Sequence, residues 1–347
     1  MSGDLEALLR TLAEIPAPTG EEEAVTAWVA ERWEVCGQVT RTPIGNLFLH
    51  VPGPGPRVLL TAHADELSLM VRAVTPGGFL RVLPGERDTF SFPHFVGHRL
   101  RVLAAEGPLP GVLAATTGHA MTAEQRERTR LGWDDLFVDV GLTAAEAAEA
   151  GIRVGTRIVF DPGIGRIGRL LVGKALDDRL GVAVLVELSR RLAARAPRFD
   201  VTLALTVQEE IGMVGASSVA RDGRAFDVGI VVDNGVAGDI PTVSAEHVPV
   251  RLGGGPALVH RDSSVHYSRR LIGELREVAA EHGIPVQDLV LYHYSSDGAH
   301  LARQGMEVLL VAPPIRYSHS PFEAVDPADL RHTVDLLAAY LTGGPPE

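Results

Sequence analysis

The 347-residue chain carries a formal net charge of −12, with 46% hydrophobic and 22% charged residues. That balance describes a folded globular protein with a sizeable core, and it excludes nucleic acid or an anionic membrane surface as the main partner, because no basic patch offsets the acidity. The single cysteine, Cys36, excludes an intramolecular disulfide; no apolar run has the length of a spanning helix and the acidic, amphipathic opening is unlike a secretion signal, so a cytoplasmic protein is expected.

Leu5, Leu8, Leu9, Leu12 and Ile15 recur at helical spacing until Pro16 and Pro18 interrupt them. Thr19 and Glu22 have the spacing of a capping box, which predicts a second helix with Val25, Trp28 and Val29 on one face. Extended segments follow around Val39, over 47–51 and over 58–61, the last running into Ala62, His63, Ala64, Asp65 and Glu66. Over 70–166 the texture changes to short apolar runs broken by Gly and Pro, which predicts an inserted β-rich unit with one helical stretch, 143–150, and a polar, mobile loop over 116–133. Beyond 167, strand and helix alternate: a helix over 178–195, a strand ending at Glu209 and Glu210, a strand over 228–233, an amphipathic helix over 264–282 closed by Gly283, a strand over 307–312, and a last helix begun by Asp326 and Pro327. The alternation predicts an α/β fold, a doubly wound, mostly parallel sheet. Residues 1–69 and 167–347 would form one discontinuous domain, with 70–166 as the insert.

In such a sheet, ligands bind beyond the carboxyl ends of the strands. His63, the pair Glu209 and Glu210, Asp233 and His319 each follow a different predicted strand, and Asp177 opens the helix that precedes the Glu209 strand. Any one of these has an ordinary structural explanation; their shared position does not. Imidazoles mixed with carboxylates suit zinc, cobalt or manganese better than calcium or magnesium. The set is too large for one ion and fits two, about 3.5–4 Å apart and bridged by a carboxylate. Neighbouring side chains leaving a strand point different ways, so Glu209 and Glu210 divide into one ligand and one free base.

The ordered motifs PTGEE near the start, IGNL at 44–47, AHADE at 62–66, LFVDVG at 136–141, GKALDDR at 173–179, VQEEIGMVGA at 207–216, VVDNGVAGD at 231–239, HRDSS at 260–264 and RYSHSP at 316–321 resemble the M42 family of dinuclear-metal aminopeptidases from end to end. The resemblance implies that Asp177 bridges two divalent metal ions, zinc ahead of cobalt or manganese. It further implies that His63 and Asp233 complete one site, Glu210 and His319 the other, that Glu209 is the general base, and that Asp65 orients His63. A cis peptide between Asp177 and Asp178 is implied, as are short peptide substrates, and a dimerisation role for the inserted unit with dimers assembling into a tetrahedral dodecamer. An M20-like deacylase or dipeptidase, or a non-catalytic assembly protein of the same fold, is the alternative. Departures from the usual family pattern fall at Asn234, Gly235 and Val236, at Gly254, and at Ser296 and Gly298 on either side of Asp297; they are expected to alter the substrate pocket.

Overall fold

The computed structural model describes residues 2–86, 96–127, 131–161, 163–221 and 223–345; parts of the expected insert and of its polar loop, 87–95, 128–130 and 162, lie outside the described residues. Helices α1 (Ser2–Glu14) and α2 (Glu23–Trp33) lead into strands β1 (Gln38–Arg41), β2 (Leu47–Val51) and β3 (Arg57–His63). Six strands then close into a barrel: β4 (Ser68–Val74), β5 (Leu80–Pro84), β6 (Arg99–Ala104), β7 (Gly107–Ala115), β8 (Leu136–Asp139) and β9 (Arg157–Phe160). Its alternating inward residues, among them Leu69, Val71, Leu80, Val82, Leu100 and Val102, form a core separate from that of the main sheet. The expected polar loop is partly helical, with α3 (Ala123–Glu127) started by reciprocal hydrogen bonds between Thr122 and Gln125, and α4 (Ala144–Glu149) has a complete capping box from Thr143 and Glu146.

After β10 (Gly165–Ile167) and β11 (Leu170–Gly173) come α5 (Leu176–Ala194), β12 (Asp200–Thr206), β13 (Val228–Val232), β14 (Gly235–Val236) and β15 (Ala257–Arg261). The chain ends with α6 (Arg269–His282), β16 (Gln287–Val290), α7 (Gly298–Arg303), β17 (Glu307–Ala312), β18 (Pro314–Ile315), β19 (Glu323–Val325) and α8 (Pro327–Thr342). The eight-stranded sheet has the order β1-β2-β12-β3-β13-β17-β15-β16. It is mixed: the run β12, β3, β13, β17 is parallel and so is β15 with β16, whereas β1 with β2, β2 with β12 and β15 with β17 are antiparallel. The central strands are predominantly apolar and buried along nearly their whole length, as strands covered on both faces are.

Two expected helix starts are corrected. Asp262 accepts from the amides of Ser264 and Val265, at 2.6 and 2.9 Å, and this turn delays α6 until Ser268 caps it. The capping box at Thr19 and Glu22 does not form. The Thr19 hydroxyl donates to Asp65 instead, while the Glu22 carboxylate accepts from the amides of Gly20 and Gln208. A buried carboxylate needs donors, and the turn after β12 offers an amide that no strand partner uses.

Candidate active site

In-register parallel pairing of β12, β3, β13 and β17 brings their carboxyl ends to one edge. His63 is the last residue of β3, opposite Thr206 of β12. Glu209 and Glu210 leave β12, Asp233 leaves β13, and His319 follows β17 and β18. All five non-glycine residues with positive φ among the described residues, Ala175, Gln208, Met213, Tyr317 and His319, lie in segments that carry these side chains, and such strain is held where the surroundings over-determine it. The peptide Asp177–Asp178 is cis, as the resemblance implied.

Asp177 lies between the two imidazoles, its Oδ1 at 3.1 Å from His63 Nε2 and its Oδ2 at 3.4 Å from His319 Nε2. His319 Nε2 is also 3.6 Å from Glu210 Oε2. Three donor groups have their ligand atoms within 4.8 Å of one another: Asp177, Glu210 and His319; His63, Asp178 and Asp233; His63, Glu209 and Glu210. Every residue expected in the site is therefore gathered there, and Asp178 joins them. Both oxygens of Asp178 are engaged by backbone amides, of Gly181 at 2.9 Å and of His63 at 3.2 Å, so it shapes the end of β3, while Asp177 faces the two imidazoles and accepts from the Ser318 hydroxyl at 3.1 Å.

Asp65 is fully buried and accepts from both members of the acid pair, Glu209 N at 2.9 Å and Glu210 N at 3.1 Å, besides the Thr19 hydroxyl at 2.9 Å. Its Oδ1 is 3.4 Å from His63 Nδ1, while the ring's Nε2 faces Asp177. Asn46, from the IGNL motif, braces the same turn by accepting from Val207 N and donating to Gly215 O. A Cβ at Gly215 would meet Asn46 Oδ1 at 2.4 Å. Glu323 is a residue the sequence did not single out: it accepts from the amides of Asp177 and His319, each at 3.1 Å. Lys174 pairs with Glu66, which also meets Arg179 at 3.5 Å and the Ala17 amide at 2.9 Å, a fully buried network whose members neighbour His63 and Asp177 in the chain.

The charges do not balance. Burial pushes up the Glu209 and Glu210 carboxyls, helped by Glu210 at the first and Asp177 at the second. Asp233 is pushed up to about 7 and Glu323 to about 8, again by burial first and by Asp177 next. Burial opposes ionisation of Asp177 too, yet hydrogen bonds with His319 and His63 hold it well below the usual carboxylate range. Burial favours a neutral His63, and Asp177 with Asp65 outweighs it and raises the ring. Glu210 Oε1 is buried without a hydrogen-bond partner among the described residues. An orphaned carboxylate oxygen amid crowded acids and two imidazoles is a donor set that divalent cations complete. Beside it opens a cleft of about 590 Å³.

An α/β enzyme with a histidine–carboxylate centre at the carboxyl edge of its sheet is the class this geometry defines. Residues 45–336 match the M42 glutamyl aminopeptidase family, and the chain belongs to that metal-dependent family as a peptide hydrolase of the aminopeptidase class. It is similar to the lysyl aminopeptidase of Pyrococcus furiosus, 30% identical over 89% of this chain and 88% of that one. Among solved structures it resembles an aminopeptidase from the archaeon Desulfurococcus kamchatkensis, with a TM-score of 0.92 and 29% identity over 99% of this chain and 96% of that one. It also resembles the Pyrococcus horikoshii TET1 peptidase, which can assemble into a tetrahedron or a large octahedral shell, with a TM-score of 0.86 and 27% identity over 97% and 99% of the two chains. Self-association is a property of such TET relatives. No helix among the described residues is long and apolar enough to cross a membrane.

Proposed function

We propose that this chain removes N-terminal residues from short peptides at a two-ion centre, with Asp177 shared between the ions, His63 and Asp233 on one, Glu210 and His319 on the other. The observation that carries this reading is the position of Asp177, one oxygen toward each imidazole. The ions, zinc ahead of cobalt or manganese, would supply Lewis-acid polarisation of the scissile carbonyl and a water of lowered pKa. Glu209, the member of the acid pair that this division leaves off the ions, would accept that water's proton and pass it to the leaving amine. Asp65 keeps Glu209 and Glu210 in register through their backbone amides and sets the His63 ring. The acidic floor of the cleft receives the cationic peptide N-terminus.

We assign residues 1–69 and 167–347 to a catalytic domain with the doubly wound core of the zinc peptidases and 70–166 to an inserted dimerisation domain. The closed barrel with its own core supports that division. Dimers joined through the barrel would build the tetrahedral dodecamer, in the cytoplasm. The test is hydrolysis of amino-acid p-nitroanilides and their N-acetylated controls by protein stripped of metal and reconstituted with Zn, Co or Mn. Metal-restored cleavage confined to free amines is expected. Glu209→Gln should lower kcat by at least about 100-fold with metal content unchanged; loss of both ions in that variant would overturn the division of labour between Glu209 and Glu210.

A further inference from the structure

We infer that the cleft beside the centre selects an N-terminal residue with a bulky, uncharged, apolar side chain, in contrast to the glutamyl and lysyl preferences in the names of relatives. This rests on the aminopeptidase reading above. The cleft begins at Glu209, Glu210 and His319 and runs outward along a wall of Met213, Val236, Ile240, Val243 and Val248, with Tyr294 opposite. Among the described residues no lysine or arginine lines it, and no carboxylate beyond Glu209 and Glu210; its remaining polar lining is His293, Ser295, Tyr317 and Ser318.

The wall is a built surface. It is carried by the segment that follows β14, which is tied down where Ala237 N donates to Ile315 O, Gly238 N to Val250 O and Val248 N to Ser244 O, at 2.8, 2.8 and 3.1 Å. Arg316 precedes the cleft residue Tyr317, yet its guanidinium is held by both oxygens of Asp239, at 2.8 and 2.6 Å, and is engaged there rather than offered to a substrate carboxylate. The Met213 amide donates to Glu209 O at 2.7 Å, and its thioether accepts from the Ser295 hydroxyl at 3.8 Å. The Tyr294 hydroxyl donates to Asn234 O at 2.9 Å, leaving the ring as the surface presented to the cleft.

A substrate bound with its amine and scissile carbonyl at the centre directs its first side chain along this wall. A glutamyl carboxylate there would lose hydration without gaining a lysine or arginine partner, and would stand near Glu209 and Glu210. A lysyl ammonium would lose hydration without gaining a distal carboxylate. A branched aliphatic, thioether or aromatic side chain loses nothing and covers the wall, and a space of about 590 Å³ accommodates the largest of them.

The experiment is kcat/KM for leucyl, methionyl, phenylalanyl, alanyl, glutamyl and lysyl p-nitroanilides with the metal-reconstituted full chain. Leucyl, methionyl or phenylalanyl substrates should exceed both charged ones by about 10-fold or more, and alanyl as well. Ile240→Arg, with Val243→Arg as a second variant should the first not fold, should raise the glutamyl-to-leucyl ratio by about 10-fold by supplying the missing cation. Equal rates across side chains, or a glutamyl or lysyl preference in an enzyme that does cleave free amines, would overturn this inference and leave the aminopeptidase reading intact. No cleavage of any free amine under any metal would remove both.

Discussion

Asp65→Asn is the substitution from which most can be learned. The native carboxylate is inaccessible to solvent and accepts three hydrogen bonds at 2.9–3.1 Å, from Glu209 N, Glu210 N and the Thr19 hydroxyl, with His63 Nδ1 at 3.4 Å. Asparagine is nearly the same size and keeps one accepting oxygen. Its amide nitrogen must face either the Glu209 amide or the pair formed by Glu210 N and Thr19, so at least one buried N–H meets another donor. A buried donor left unpaired costs about 1–3 kcal/mol, which we expect as a loss of about 2 kcal/mol in chemical denaturation at neutral pH. The functional loss should be larger than that suggests, because His63 loses its anionic partner and the acid pair loses its brace together; such outer partners are worth about 10–100-fold in metal affinity or activity. Chelator competition would measure the first and kcat/KM on a free-amine p-nitroanilide the second. An Asp65→Asn protein that binds metal and turns over like the wild type would refute the argument that this carboxylate organises the centre.

Two further outcomes follow from buried charge. Lys174→Met leaves Glu66 with only the more distant Arg179 and should cost about 3 kcal/mol in urea unfolding, part of it recovered when Glu66→Gln is added. Glu86, which accepts from the Ser68 amide and hydroxyl, is pushed up to about 7 chiefly by burial. A carboxyl whose folded pKa exceeds its unfolded value of 4.5 makes the native state progressively less stable as pH rises from about 4.5 to 7, and by a constant amount above. Glu86→Gln can keep both contacts with Ser68, so it should raise stability by roughly 1–3 kcal/mol at pH 8 and change little at pH 4; equal effects at the two pH values would contradict this.

What the sequence made legible is what chain order and periodicity encode. The apolar strands announced their carboxyl ends, and His63, the acid pair, Asp233 and His319 stand at those ends because parallel pairing leaves no other edge for them. The helix begun by Asp326 and Pro327 was legible because a cap is a local motif. The same local rule failed at Thr19 and Glu22, where spacing suggested a cap and the side chains instead serve Asp65 and the turn after β12. Glu323 was invisible for a related reason. Its value comes from two amides, one 146 residues away in sequence, and nothing near it in the chain marks a buried acid. Among the departures from the family pattern, Val236 does line the cleft, whereas Gly254 packs under Gln287, where a Cβ would meet that side chain at 2.5 Å, and Ser296 is paired with the Tyr267 hydroxyl. Which altered residue faces a substrate is a property of the fold and not of proximity in the chain.

Lys174 is the one lysine in the chain, and only 2% of its side chain is open to solvent. The folded surface therefore presents its positive charge through arginine and histidine and offers reagents no lysine amine. Acylating dyes and amine cross-linkers should pass over the lysine of the native chain and reach it once the network with Glu66 and Arg179 opens. Labelling at this residue then reports, from a single position, how often that buried network comes apart.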